Sequence, residues 1–451
     1  MNFLQVALHK RNEVYIMDDR KEREQLKLRM FFDPDRWERL LNQAHEKELN
    51  KTLIQYFMTP KGRAELYDAI VNYNYTIQVP HEANIPKYPT GFRLVVVNED
   101  VDRIYASVYT DMMFELHFDC IYETSKAYQK GIGCGKVVNE VCEQLEKYNK
   151  GYKSDMTHYF DSTPLREILN IFDKFKMDTS VDKPIVDYYK SNLIFDEQNN
   201  LVEKYLGMKQ GCAFSAFLAN VLLYDVDKEI SEMKDVLYVR YSDDILILGK
   251  NADKAMEILK DRLNEKGLSL NPKKTEVISN EKWFEFLGFK IKGKQITFSK
   301  KSIVNLVTEI NNFTIKYKRK IRNKFIYNIS PKKAINKILR YLYKNFTVDA
   351  KHSFGWAEYF LSIVNVKKDI ITINNYIMDC IRATFTNKKK VGTICSVSDR
   401  DNYTVVRTKG KNVKENRNKT PKIIEGYVSM IDMWNTIRTD KDLFRLKARL
   451  L

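Results

Sequence analysis

The tetrapeptide Tyr241-Ser242-Asp243-Asp244 lies between two β-prone runs, Val236-Leu237-Tyr238-Val239-Arg240 and Ile245-Leu246-Ile247-Leu248. Short apolar runs on either side of a polar junction read as buried strands joined by a tight turn. Two adjacent carboxylates therefore sit at the tip of a β-hairpin. Stacking like charges beside buried strands is costly, and it becomes sensible when divalent cations neutralise the pair. An ordinary Asp-Asp turn is the plainer reading, because Asp is a common turn former. A two-metal site needs another carboxylate from elsewhere in the chain, since two magnesium ions about 3.5–4 Å apart are mostly oxygen-ligated. The segment Tyr152-Lys153-Ser154-Asp155-Met156-Thr157-His158-Tyr159-Phe160-Asp161-Ser162 offers Asp155, with Asp161 as a competitor lying beyond the expected strand end. A metal-dependent nucleotidyl-transfer site is what this pattern suggests.

Further motifs line up in an order that resembles a reverse transcriptase palm. Asp155 to Ser162 is similar to the family's first catalytic motif, with the aromatic Phe160 five residues after the Asp. Gly207-Met208-Lys209-Gln210-Gly211-Cys212-Ala213-Phe214-Ser215-Ala216 resembles the Gln-Gly loop and the start of its helix, and Tyr241-Ser242-Asp243-Asp244 resembles the Tyr-x-Asp-Asp box. Leu270-Asn271-Pro272-Lys273-Lys274-Thr275 resembles the fourth palm motif, and Phe286-Leu287-Gly288-Phe289 the primer-grip hairpin. Upstream, Lys87-Tyr88-Pro89-Thr90-Gly91-Phe92-Arg93 and Asp102-Arg103-Ile104 are similar to the fingers segment that meets the incoming triphosphate. The resemblance spans roughly residues 85–290.

Ser215-Ala216 departs from the Ser-Pro that many family members carry, and neither the Asn-Ala-x-x-His pattern nor the Val-Thr-Gly tripeptide of retron enzymes is present. No integrase, ribonuclease H or His-Asn-His endonuclease constellation accompanies the palm. What remains resembles the abortive-infection and unknown-group reverse transcriptases of bacterial antiphage defence, related to retron and group II intron enzymes.

The resemblance implies an α+β right-hand polymerase: fingers and an antiparallel palm sheet, preceded by a helical N-terminal extension and followed by a helical thumb and C-terminal domain. It implies attack of a primer hydroxyl on an α-phosphate, where the protein mostly positions groups and neutralises charge. Asp155 and Asp243 would bridge two Mg2+ ions, with Mn2+ as an alternative. Asp244 would complete the cluster, and the Met156 carbonyl would add an oxygen. Phe160 would pack beneath the sugar and select deoxynucleotides, or it is a core aromatic. Gln210 and Gly211 would meet the nascent pair. Lys87 and Arg93 would grip the triphosphate, Arg through its fork geometry, or they are solvated surface cations. Lys274 would protonate the departing pyrophosphate, with Lys273 one position away as its rival. Phe286, Leu287 and Gly288 would form the primer grip.

The charge is unevenly placed. The chain has a net charge of +17, yet residues 301–451 carry 32 Lys+Arg against 12 Asp+Glu, whereas residues 1–300 carry 44 against 47. A basic excess of that size is the electrostatic footprint of a phosphate backbone, or else a solvated face. Tyr317, Tyr327, Tyr341, Tyr343, Trp356 and Tyr359 interleave with Lys316, Lys318, Arg319, Lys320, Lys324 and Arg340, which suits stacking as well as phosphate contact. Lys388, Lys389 and Lys390 add a second cationic cluster. A structured non-coding RNA template, nascent cDNA and deoxynucleoside triphosphates are the expected partners, and assembly with further copies of the chain stays open.

With 44% hydrophobic residues, 451 residues suffice for two or three domains. No apolar run reaches about 18 residues, and the N-terminus lacks the apolar core of a signal peptide, so no membrane association is expected. The six cysteines, scattered without a Cys-x-x-Cys pair, read as reduced thiols of a cytoplasmic bacterial protein. The six histidines are equally dispersed and argue against zinc.

Four segments are expected: a helical extension over 1–80, fingers and palm over 81–298, a thumb over 299–385, and a basic RNA-binding region over 386–451. Asp33-Pro34 and Thr59-Pro60 mark helix starts, for helices over 33–53 and 59–73. One helix is expected over 213–230, a hairpin over 284–298, and helices over 304–322, 331–345, 356–364, 370–385 and 429–451. Two other readings keep part of this: a template-independent or protein-primed deoxynucleotidyl transferase, for which the 27 tyrosines supply acceptors, and a non-catalytic RNA-binding scaffold.

Overall fold

The computed structural model describes residues 19–86, 91–322, 356–386, 392–395, 404–407, 430–431 and 434–435. The chain divides into two compact units: Met1–Ile132 with Gly151–Val277, and Gly133–Lys150 with Ile278–Leu451.

The first unit opens with helices whose starts follow the capping logic. The Asp33 carboxylate accepts from the Asp35 N–H ahead of helix Pro34–Gln43, and the Thr59 hydroxyl accepts from the Gly62 N–H ahead of helix Pro60–Val71. The expected helix over 33–53 is two helices, because Glu48 takes a left-handed conformation (φ 52°) and the Asn50 side chain caps a new start at Lys51–Met58. Helices Pro34–Gln43 and Lys51–Met58 pack on the long helix Asp100–Leu116, which is buried along most of its length, and Pro60–Val71 packs on Lys51–Met58. Buried charge fixes the docking: Arg36 bonds Asp111 (2.5 Å), Glu115 (2.8 Å) and the Met30 carbonyl. Lys27 meets Asp182 at 2.7 Å, both fully enclosed. Asp182 also accepts from the Tyr109 and Thr179 hydroxyls and the Thr179 N–H, so its lone pairs are used.

Strands β1 (His81–Pro86), β2 (Phe92–Val97), β3 (Lys150–Asp155), β4 (Leu193–Phe195), β5 (Leu201–Glu203), β6 (Val236–Tyr241), β7 (Asp244–Gly249) and β8 (Glu276–Ser279) form two four-stranded sheets. One has the order β2-β1-β4-β5 and is mixed, since β1 runs parallel to β4. The other has the order β6-β7-β3-β8, with β6–β7 and β7–β3 antiparallel. Ile245, Leu246, Ile247 and Leu248 of β7 are all fully buried, as a continuous apolar run in a central strand requires. Helix Tyr224–Ser231 packs on β6 and helix Ala252–Glu265 on β7. The outer edge of β6 is itself occupied: the Arg240 N–H donates to the Thr124 carbonyl, and the Lys126 N–H to the Arg240 carbonyl.

The helix expected over 213–230 is broken into Ser215–Val221 and Tyr224–Ser231. The break has a tertiary cause. The carbonyls of Ala219 and Asn220, which would continue the helical ladder, instead receive the Arg240 guanidinium, and Ala219 also receives the Tyr159 hydroxyl.

In the second unit, β9 (Phe284–Phe286), β10 (Phe289–Lys292) and β11 (Gln295–Phe298) form a three-stranded meander where a hairpin was expected. Helix Lys300–Arg322 follows, burying Ile303, Leu306, Ile310, Thr314 and Tyr317. Helices Trp356–Leu361 and Lys367–Thr386 and the antiparallel pair β12 (Gly392–Cys395) and β13 (Thr404–Arg407) complete what is described there. The helix expected over 331–345, the cations beyond Arg407 up to Lys422, and nearly all of the helix expected over 429–451 lie outside the described residues. Among the described residues no helix is long and apolar enough to cross a membrane.

Candidate active site

The turn between β6 and β7 contains two residues, Ser242 and Asp243, because Tyr241 pairs with Asp244 across the hairpin. Such turns need residues with positive φ, and Ser242 has φ 60°. On the other side of β7, strand β3 runs antiparallel in a register that sets Asp155 directly opposite Asp244. The Met156 N–H donates to the Asp243 carbonyl at 3.0 Å, tying the chain after Asp155 to the turn. Side chains opposite one another on neighbouring strands lie about 4.5–5.5 Å apart at Cβ. Asp155 and the adjacent pair Asp243-Asp244, distant from it in sequence, thus share one end of one sheet.

Their charges act on one another. Burial, then the charges of Asp243 and Asp155, pushes the Asp244 carboxyl up to about 6. Burial and Asp155 likewise raise Asp243, against smaller opposing pulls that include Lys274 and Arg93. Asp155 has a partner of its own, since the Lys274 ammonium meets its Oδ2 at 2.6 Å. Among the described residues no three His, Cys, Asp or Glu side chains are already gathered closely enough to hold a metal ion. The donor set nonetheless fits divalent cations: hard carboxylate oxygens, buried in part and mutually repelling, whose charge Lys274, Arg93 and Lys153 offset only in part.

Of the other residues singled out in the sequence, Lys274 makes the ion pair, while Lys273 uses its N–H on the Asn271 side chain and is exposed. Asp161 sits past strand β3 on the short helix Tyr159–Ser162 and is not in register with Asp244. Phe160 is half-buried, edge-on to Tyr159, and its carbonyl accepts from Met208 at 2.8 Å. Gly207 lies so near that a Cβ there would stand 2.0 Å from that carbonyl oxygen. The Gln210-Gly211 loop is pressed against β2: the Val96 N–H donates to the Gln210 carbonyl at 2.7 Å, and a Cβ on Gly211 (φ +116°) would fall 2.3 Å from the Val96 oxygen. Exposed Arg93 is on the same strand, and its charge is felt by Asp243 and Asp161. Lys87 lies outside the described residues, as do Lys388, Lys389 and Lys390.

Within the second unit, Phe286 pairs with Phe289, leaving Leu287 (φ 48°) and Gly288 (φ 83°) as a two-residue turn. On helix Lys300–Arg322, Lys316 and Arg319 are exposed, whereas Lys318 and Lys320 are half-buried.

Sequence reasoning passed over Arg240 and Asp227. Both are fully buried, and they meet in a two-pronged ion pair: Nε to Oδ1 at 2.8 Å and Nη2 to Oδ2 at 2.5 Å. The signal was available: an arginine inside an apolar strand run, and an aspartate on the apolar face of a helix beside Leu223, Val226 and Ile230. Tyr128 was passed over too; its hydroxyl is 3.2 Å from that of Ser242.

Residues 85–291 match the sequence profile of the family described as Reverse transcriptase (RNA-dependent DNA polymerase). This part of the chain is a domain of the reverse transcriptase family. No curated protein matches the chain. Solved structures that are similar include telomerase from Candida albicans in complex with a fragment of telomeric RNA, at 13% identity, covering 68% of this chain and 60% of that one, with TM-score 0.39. Apo telomerase from Candida tropicalis, truncated from its C-terminal domain, is similar at 16% identity, with 51% and 59% covered and TM-score 0.37. The chain therefore spans about three-fifths of the length of those structures.

Proposed function

We propose that the protein is an RNA-directed DNA polymerase that makes cDNA on an associated structured non-coding RNA. The observation that carries this reading is the register of Asp155 against Asp244, with Asp243 in the adjoining turn. Asp155, Asp243, Asp244 and the Met156 carbonyl would hold two Mg2+ ions, or Mn2+ in their place. When bound, such ions make a primer hydroxyl more acidic and offset charge on the transferring phosphate. Lys274, in contact with Asp155, would be placed to give a proton to pyrophosphate. Arg93 and Lys87 would bind the triphosphate, Phe160 would exclude a 2′-hydroxyl, and Gln210 with Gly211 would bear on the templating pair.

The division into extension, fingers and palm, thumb and basic C-terminal region accompanies this proposal, with Phe286, Leu287 and Gly288 as primer grip. Lys316, Lys318, Arg319, Lys320 and Lys388 to Lys390 would meet RNA. A cytoplasmic role in bacterial antiphage defence is supported by the motif resemblance.

Sequencing of nucleic acid co-purified with the wild-type protein and with Asp243→Ala tests the proposal. DNA complementary to one bound RNA, reduced about a thousandfold in the variant, is the expected result. Homopolymer made without RNA would replace it with the untemplated transferase, and RNA without DNA in either sample would replace it with the scaffold.

A further inference from the structure

The first unit encloses one guanidinium whose five N–H donors are all used, and it lies directly beneath the turn that carries Asp243. Arg240 Nε and Nη2 bond the Asp227 carboxylate. Nη1 donates to the carbonyls of Ala219 (3.0 Å) and Ser242 (3.3 Å), and Nη2 to that of Asn220 (3.1 Å). Five N–H groups in a rigid planar fork thus join the catalytic turn, the end of helix Ser215–Val221 and helix Tyr224–Ser231. Helix Ser215–Val221 begins four residues after Gly211, so its far end reports the placement of the Gln210-Gly211 loop.

The surroundings extend the same clasp. The Asn220 side chain donates to the Ala127 carbonyl (2.8 Å) and accepts from the Ser125 hydroxyl (3.1 Å). Residues Thr124 to Lys126 bond the Arg240 backbone, and Tyr128 reaches the Ser242 hydroxyl. Tyr238 donates to Asp227 at 3.0 Å, completing that carboxylate's set. A charge pair that only stabilised the fold would be a poor choice here, because well-packed apolar residues of similar volume often do as well or better. What apolar residues cannot do is hold the Ser242 carbonyl and the helix end in one fixed relation.

We propose that Arg240 is a positioning residue whose guanidinium keeps the Ser242-Asp243 turn in register with the helix that follows the Gln210-Gly211 loop. This rests on the polymerase reading. Its consequence is that the carboxylate of Asp243 meets a cation, and the loop meets a nascent pair, in one rigid frame.

Two variants test it. Arg240→Lys keeps a cation opposite Asp227 but gathers its donors on a single nitrogen. The double variant Arg240→Met with Asp227→Leu removes the buried charges while preserving volume, so it is expected to fold even if Arg240→Lys does not. Each is compared with wild type and Asp243→Ala for thermal midpoint, for Mn2+ affinity read from the paramagnetic resonance of free Mn2+, and for primer extension. A roughly tenfold loss of Mn2+ affinity and about thirtyfold lower kcat, with KM for nucleotide within about threefold, is expected of folded variants. Folded variants with wild-type Mn2+ affinity and kcat would overturn the proposal, as would a chain that folds only when Arg240 is present. A wild type that binds Mn2+ through Asp243 but makes no DNA would count against the polymerase reading alone, since the Mn2+ comparison still decides the role of Arg240.

Discussion

Two tight turns with the same plan are held in different ways. Ser242-Asp243 and Leu287-Gly288 each close an antiparallel pair with two residues, and each places a residue other than glycine at positive φ. Beneath the first lies a buried ion pair with every donor spent. The second is anchored by neutral bonds: the Gly288 carbonyl accepts from the Ser299 N–H at 3.2 Å and from the Ser302 hydroxyl at 2.9 Å. Charged, desolvated support is costly to assemble but geometrically exacting, whereas neutral bonds at a half-exposed turn tolerate small displacements. The turn bearing carboxylates is the one that received the stiffer support.

The contrast predicts unequal losses. Asp227→Ala, which strands the buried arginine, should destabilise the chain by about 3–5 kcal/mol, and Ser302→Ala by about 1 kcal/mol. Urea titration of the full-length variants measures both, and equal losses would break the comparison.

Acid should separate the two regions next. Burial, then the charges of Lys27 and Lys174, pulls His117 in the first unit down to about 3 from 6.5, and its Nε2 is enclosed without a partner. Between pH 6.5 and about 3 the unfolded chain holds the extra proton, so stability falls as pH falls through that window. The loss at pH 5 is about 2 kcal/mol relative to pH 7. The described part of the second unit contains no histidine. His117→Phe should flatten the dependence of thermal midpoint on pH, and an unchanged slope would assign the acid sensitivity elsewhere. The smallest effect concerns the second turn alone. Leu287→Gly should change stability by no more than about 0.5 kcal/mol, because relief of the left-handed leucine offsets the added entropy of glycine. A calorimetric shift well beyond that would show that the Leu287 side chain, not its backbone, matters.

Much of this was written in local pattern. The β6–β7 hairpin follows from two apolar runs, and the helix starts at Pro34 and Pro60 follow from their caps. The family profile covers the segment in which the motifs were read. Three features were not legible, for a common reason. The helix break at Leu222, the Arg240–Asp227 pair and the association of residues 133–150 with the second unit all depend on which distant group a residue meets. Periodicity says which face is buried, but not what lies against it. Lys274 stood between the cases: its motif indicated a cation near the reaction, and its 2.6 Å bond to Asp155 could be seen only in three dimensions.

The short run from Thr124 to Lys126 has an effect beyond bracing Arg240. A sheet whose outermost strand keeps its amides and carbonyls open can recruit a foreign strand and begin a ribbon of molecules. Here β6 is that outermost strand, and the chain has laid its own backbone along it at Arg240. The rim nearest the acidic turn is thereby closed to strand addition, and crowded molecules are kept from seeding aggregates beside the carboxylates.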